Sequence, residues 1–582
     1  MTQKSNWQTA LPLNELEPGR MHTHKQAGCQ LALGRTEAGE VFALDNRCPH
    51  EGYPLAQGTL RGNALSCCWH NWKFDVRDGV CTLGGEDVRT FPMRVREGMV
   101  ELDLSEPDPT TFFPAWKASF EAGLFEHDNG RTIRDGVRLL QGGYDPFVLL
   151  ADIVAYDGRH AQYGTTHTLA VAADCARFIK QGAGVEAMYA IAPAIDLCGD
   201  ANRRLPTREL PEAIPYAGPQ TRELLREAVE NEDVERSLAL LRGAFDGGVQ
   251  HTIIQDWMYA ILSDHFLDFG HELIYMIKSQ DLLERVPESY AHDFYTGLLF
   301  RTLLGTREDT LPYMRGYAER LAENRDAFPA LHAACSMSTP FARGDFLRVR
   351  DAVLDGSREA AFDAVLNALQ AQVHPRRIAE ALVASAAIRF FRFDVGLDSN
   401  PDVAENWLWV THRFTFASAV REATERFDSP DVLAFLFQAV MFVHSGKDMD
   451  LPAERLCSSE PLSLTPTEVL DAIAARQTEA AVRGAAALLQ DPAGLAELEV
   501  HIETLVLRDP LVRPIVVAHA IKSSVAAFNE VRALGGSPDR AWPLLAVVRF
   551  LASPLVERRV HEAVGTSIRW VAEGIMPRKL TQ

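Results

Sequence analysis

The chain has 582 residues, of which 47% are hydrophobic and 24% charged, with a formal net charge of −21. That length exceeds what one hydrophobic core supports and predicts two to four domains. The acidic balance excludes the basic footprint of a nucleic-acid binder and attachment to an anionic membrane surface. No apolar run reaches the length of about 18 residues that a membrane span needs. The N-terminal segment "MTQKSNWQTALPLNELEPGR" has neither an apolar signal core nor a twin arginine, so the expected location is cytoplasmic. Nine cysteines are an odd number, and five of them precede residue 82. That distribution fits a local metal site in a reducing compartment better than a disulfide scaffold.

The first hundred residues alternate like sheet. "QLALGRTEAGEVFAL" sets Leu31 and Leu33 before a turn at Gly39 and Val41 and Ala43 after it, which predicts a hairpin. "KFDVRDGVCTL" repeats the pattern around Asp78-Gly79 and "MRVREGMVELDL" around Glu97-Gly98. A small all-β domain is therefore expected over residues 1–104.

In the loops of this domain stand a Cys-x-His pair, Cys48 and His50, and a Cys-x-x-His pair, Cys67 and His70, with 16 residues between them. Two thiolates and two imidazoles satisfy zinc, but zinc fingers usually pair Cys with Cys and His with His along the chain. Here each loop supplies one of each. That mixed order suits a diiron cluster in which one iron takes both thiolates and the other both imidazoles.

"CPH", "PL", "CCWHNWKFD" and "RTFPMRV" together resemble the Rieske [2Fe–2S] domain of the ferredoxin and ring-hydroxylating-oxygenase type over residues 5–104. The resemblance implies that Cys48 and Cys67 bind the buried iron and His50 and His70 the outer one. The departures are informative too. Cys68 stands where proline is usual and reads as a spare structural thiol. Rieske proteins of respiratory complexes carry an extra Cys in each loop, joined as a disulfide, and the corresponding positions here are Tyr53 and Trp69. Trp72 and Phe74 replace the Ser and Tyr whose hydroxyls donate to the cluster and a cysteine sulfur in those proteins. Fewer donors to sulfur predict a potential in the lower part of the Rieske range.

"SEPDPTTFFPAW" reads as a linker at 105–114. Beyond it, residues 115–582 show helical periodicity. Thr465, Pro466 and Glu468 form a capping box, and "NWLWVTHRFTFASAVREA" is apolar on nearly every side, as a buried helix is. "CGDANRRLPTRELPEAIPYAGPQ" and "GKDMDLPAERLCSSEPLSLTP" read as long loops. The all-helical character excludes the α/β catalytic domain of ring-hydroxylating oxygenases. The mononuclear-iron signature of that domain is absent as well.

Four helical segments open with His167, His271, His412 and His519, and His251 and His374 make a further matched pair. The pattern is consistent with internally duplicated helix pairs. In "SDHFLDFGHEL", Asp264, Asp268 and His271 would share one face of a continuous helix, with Gly270 interrupting it. His167 and Asp174, and Asp157 and His160, have related spacings. Inward-facing carboxylates and imidazoles build metal centres in helical bundles. Asp264, Asp268, His271, His167, His412 and His519 are therefore the candidate ligands of a second, non-haem iron centre.

The expectation is a multidomain iron–sulfur oxidoreductase, a Rieske domain followed by a large all-α domain. Its cluster would take electrons from a reductase or ferredoxin and pass them to the helical domain, which acts on a small molecule. The alternative is a redox sensor or electron relay on a helical interaction scaffold. No catalytic residue, substrate or named family for the helical region follows from the sequence.

Overall fold

The computed structural model describes residues 6–398, 406–508, 513–554, 564–565 and 567–575. The chain divides into two compact units, Met1–Asp145 and Pro146–Gln582.

The first unit holds ten strands: β1 (Trp7–Pro12), β2 (Arg20–Gln26), β3 (Cys29–Arg35), β4 (Val41–Asp45), β5 (Thr59–Arg61), β6 (Ala64–Ser66), β7 (Lys73–Asp75), β8 (Cys81–Leu83), β9 (Met93–Arg96) and β10 (Met99–Asp103). They form three antiparallel sheets, ordered β1-β10-β9, β2-β3-β4 and β5-β6-β7-β8. The three hairpins read from the sequence are all present. In β3–β4, Leu33 faces Ala43. Phe74 faces Cys81 across β7–β8. Met99 pairs with Arg96 across a turn in which Glu97 and Gly98 both have positive φ, the backbone that a two-residue type I′ turn demands.

Two small cores result. One gathers Leu31, Leu33, Val100 and Leu102 with their neighbours. The other gathers Leu44, Leu55, Leu65, Phe74 and Val76 around Cys48 and Cys67. The second core thus lies directly beneath the two ligand loops.

The first unit extends past the linker expected at 105–114. Asp108 caps a short 3-10 turn by accepting from the Thr110 N–H. Helices α1 (Phe113–Glu126) and α2 (Asn129–Gln141) then fold back as a hairpin. Glu86, only 4% exposed, stands in the segment after β8. Its carboxylate accepts both Arg134 Nε and Arg138 Nη1 from α2, the latter at 2.6 Å. This doubly held carboxylate ties α2 to the β domain, and both helices belong to the first compact unit.

Among the described residues the second unit is helical, with only isolated β-bridges outside its helices. The capping box at Thr465 and Glu468 is formed, with both reciprocal hydrogen bonds. The helix Trp407–Arg426 is buried along nearly its whole length. The stretch expected as a loop from 198 begins instead with the end of the helix Met188–Asn202. No helix among the described residues is long and apolar enough to cross a membrane.

Candidate metal centres

The first centre is built by two loops of the β domain. The Cys48 N–H donates to the Tyr53 carbonyl at 2.9 Å, and the Cys67 N–H donates to the Trp72 carbonyl at 2.7 Å. Each cysteine therefore sits at the mouth of a loop closed over five residues. Both thiols are buried, at 3% exposure, and burial, with the neighbouring Cys67, pushes the Cys48 thiol up to about 12. Trp69 N–H points at Cys67 Sγ at 3.4 Å. His70 and Asn71 have positive φ, and this turn swings the His70 ring toward His50. The two Nδ1 atoms approach to 3.1 Å. His50 is half-buried and His70 exposed.

These positions fit a cluster with thiolates inside and imidazoles outside. Trp72 stacks on the His50 ring at 4.7 Å and, like Phe74, offers no hydroxyl to a sulfur. Tyr53 and Trp69 lie stacked face to face, with centroids 4.7 Å apart and planes 6° from parallel. The Trp69 indole also donates to Glu51 at 2.8 Å. An aromatic clasp, worth about 0.5–1.5 kcal/mol beyond its buried area, thus joins the two loops. Cys68 is exposed rather than packed, so it is not the structural thiol expected from the sequence.

In the second unit, the four histidines drawn from distant parts of the sequence meet. His167 opens the helix His167–Cys175 and His271 opens His271–Leu283. His412 and His519 lie within Trp407–Arg426 and Pro514–Ala533. Ring centroids run His167 to His271 4.7 Å, His271 to His412 4.4 Å, His412 to His519 4.4 Å and His519 to His167 5.2 Å.

One nitrogen each of His167, His412 and His519 lies within 4.8 Å of the other two. Two nitrogens bound to one metal at about 2.1 Å can be no more than about 4.2 Å apart, so small ring rotations suffice. The Nε2 atoms of His271 and His412 are 2.7 Å apart.

The outer nitrogens of His167, His412 and His519 are held in the way that metal-ligating imidazoles are, whereas His271 Nδ1 is buried without a hydrogen-bond partner. Tyr275 OH lies 3.2 Å from His167 Nδ1, and Thr411 Oγ1 lies 2.8 Å from His519 Nδ1. His412 bonds the Leu408 backbone. Consequently His167 Nε2 and His519 Nε2 are left buried without a hydrogen-bond partner. Burial holds all four imidazoles well below the usual histidine range. For His167, His412 and His519 the next cause is the charge of Lys522. Neutral imidazole is the form that binds metal.

Asp264 and Asp268 do not belong to this group. The helix before them ends at Leu262, and the chain then turns through Asp268, Phe269 and Gly270, all with positive φ. The continuous helix that would have aligned them with His271 is therefore absent. Asp264 pairs with Arg226 and Arg325, and Asp268 with Arg301 at 2.7 Å. The turn has its own role, because it lays the Phe269 ring flat against His412 at 5.5 Å.

His251 lies 3.3 Å from Glu288, and His374 caps its helix through the Arg376 N–H. Asp174 pairs with Lys278, Asp157 receives Thr166 and Asn202, and His160 bonds its own helix. Sequence reasoning missed Tyr275, Thr411 and Lys522. None carries a motif, and only their burial beside the imidazoles reveals them.

The Rieske [2Fe–2S] domain family matches residues 6–92. A 4β-methylsterol monooxygenase of Methylococcus capsulatus is 35% identical over 103 residues, covering 16% of this chain and 28% of that protein. The ferredoxin component of the naphthalene 1,2-dioxygenase/salicylate 5-hydroxylase systems of a Ralstonia species is 34% identical over 106 residues. That match covers 18% of this chain and 99% of the ferredoxin. The crystal structure of dicamba monooxygenase bound to dicamba is similar over 18% of this chain and 33% of that chain, at 28% identity and a TM-score of 0.17. The chain thus spans about a quarter of the monooxygenase but the whole of the ferredoxin. Cys48, His50, Cys67 and His70, converging in closed loops, lie within the matched residues, and through them the chain belongs to the Rieske [2Fe–2S] domain family.

Proposed function

We propose that this protein is an oxidoreductase in which a Rieske cluster, held by Cys48, Cys67, His50 and His70, feeds electrons to a second metal in the helical unit. The observation that carries the reading is the enclosed group of four neutral imidazoles, His167, His271, His412 and His519, three of which keep an unpartnered nitrogen. Leaving such nitrogens buried and unbonded costs about 1–3 kcal/mol each, a cost that a bound metal removes. An all-imidazole set suits iron, copper, nickel or zinc. Receipt of an electron favours iron or copper, since zinc has no redox chemistry.

The matched proteins named as a ferredoxin component and a monooxygenase support an electron-transfer role for the first unit. When bound, the cluster supplies single electrons. The thiols of Cys48 and Cys67 keep one side of it out of water, and the half-exposed His50 and exposed His70 offer the side at which a reductase or ferredoxin delivers charge. The Tyr53–Trp69 stack keeps the two loops together. In the second unit Tyr275, Thr411 and the Leu408 backbone fix the imidazoles of His167, His519 and His412, and Phe269 covers His412. The reaction is an oxidation or reduction of a small molecule.

The test is elemental analysis of the full chain alongside its His variants. The expected result is two irons per chain from the cluster plus one further metal, the latter lost in His412→Gln and His519→Gln. The Rieske-type paramagnetic resonance signal of the reduced protein should survive in those variants and disappear in His50→Ala and His70→Ala. Two irons and no other metal would leave the first unit as an electron relay alone.

A further inference from the structure

We propose that a second cavity of the helical unit binds an organic ammonium ion, a protonated amine carried on a compact apolar body. None of the four histidines lines this cavity, so the proposal stands or falls independently of the second metal.

The cavity holds about 610 Å³, within the range of roughly 300–1,000 Å³ of small-molecule sites. Phe266, Met441 and Leu321, all buried, give it an apolar floor. One wall is the helix Thr221–Glu230. Glu223, Arg226, Glu227 and Glu230 recur on that helix at i, i+3, i+4 and i+7, which is one face, and all four line the cavity.

Gln438 supplies the polar contact. Its side chain is 2% exposed and lines the cavity. Nε2 donates to the Ser263 carbonyl at 3.1 Å. A carbonyl only accepts, so the orientation of the amide is fixed, and Oε1 is left as an acceptor to which no described residue donates. A buried amide oxygen without a donor is costly, and a ligand N–H in the cavity removes that cost.

The surrounding charge selects which donor enters. Five carboxylates line the cavity against two guanidinium groups and one imidazole, so the field is negative whether or not His265 is charged. Asp264 takes Arg226 at 2.7 Å and Arg325 at 3.4 Å, while Glu230 and Asp309 take His265 at 2.8 and 3.0 Å. Glu227 enters no ion pair among the described residues, and Glu223 meets only Arg222, at 3.9 Å. A cleft of one sign concentrates ligands of the other. A divalent metal would need several free oxygen ligands, and those of Asp264 and Asp309 are already engaged by side-chain cations. An ammonium group needs one good acceptor, which Gln438 Oε1 provides, and its carbon body can lie on Phe266 and Met441.

The experiment is equilibrium dialysis of the full, cluster-loaded chain against three probes that share an indole ring. Tryptamine carries an ammonium group, tryptophol a hydroxyl and indole-3-acetate a carboxylate. The expected result is one tryptamine per chain, with the other two bound at least about tenfold more weakly, the scale of one hydrogen bond to a charged group. Gln438→Leu should weaken tryptamine by a similar factor. Glu223→Gln combined with Glu227→Gln, both exposed positions, should weaken it a few-fold at low ionic strength, and the difference should close at about 1 M salt, where screening acts within about 3 Å.

Tryptophol bound as tightly as tryptamine, or no saturable binding of tryptamine at about 10 mM, overturns the proposal in the native chain without any variant. Unchanged tryptamine affinity in the Glu223/Glu227 double variant overturns it too, and that arm stands even if Gln438→Leu does not fold.

Discussion

Replacing Glu86 by Ala should unfold the cluster-bearing unit at markedly lower temperature. The carboxylate is 4% exposed and receives two arginines, Arg134 and Arg138, from α2. Removing one partner of a buried ion pair costs about 3–5 kcal/mol, because the remaining charge is left without compensation. Here the two guanidinium side chains are each 28% exposed, and Arg138 keeps Asp135 as a partner. Water can therefore recover part of the loss, and about 2–3 kcal/mol is the working figure. For a domain of this size that corresponds to a fall in Tm of about 4–12 °C.

The assay is bleaching of the visible cluster absorbance on heating, which reports the first unit alone. Far-ultraviolet circular dichroism, recorded in parallel, is dominated by the helices of the second. The cluster should bleach earlier while the main helical transition stays in place. Bleaching within about 1–2 °C of the native protein would refute the reasoning, since that allows well under 1 kcal/mol for the interaction.

The remaining predictions concern the two centres. The reduction potential of the cluster should lie below about 0 mV, within the range of roughly −150 to +300 mV for such centres, because Trp72 and Phe74 bring no hydroxyl to the sulfurs. A spectroelectrochemical titration that ends near +300 mV would refute this. In chelator-treated protein, the contribution of the four histidines should lower the helical transition temperature as the pH drops below about 6.5. The four buried imidazoles refuse protons that the unfolded chain accepts at its ordinary histidine value, so the folded state is favoured above that value and penalised below it. The acid-side slope should shrink in a variant lacking two of the histidines. Gly270→Ala should cost more than about 1 kcal/mol and weaken metal retention, because the position has a φ of +78° and an added methyl group would run into the Phe416 ring. Thermal unfolding and elemental analysis of that variant check both effects.

Much of the first unit was legible because its signals are local. Hairpins are announced by turn residues between alternating strands, and the ligand pairs lie close in sequence. Glu86 was not legible as a clamp, since its partners in α2 are 48 and 52 residues further on and carry no pattern linking them to it. In the second unit the four histidines stood out by their recurrence in successive helices, and the structure brings all four together. The two aspartates would join them only if a helix ran unbroken through "SDHFLDFGHEL". Gly270 was the one visible warning, and the left-handed turn at Asp268 and Phe269 sends both carboxylates to arginines instead. Lys522 was unreadable for a different reason. A lysine on an apolar helix ordinarily reaches solvent, and only the packing of neighbouring helices shows that this one does not.

The clamp between Glu86 and α2 also decides where the chain can be cut and grafted. A Rieske cassette taken at residue 104, where the last strand ends, would leave behind the arginines that neutralise Glu86 and carry an unmatched carboxylate into its new host. Transplantation to another electron acceptor should therefore exchange the chain after residue 145, or replace Glu86 with a neutral side chain before exchanging it earlier.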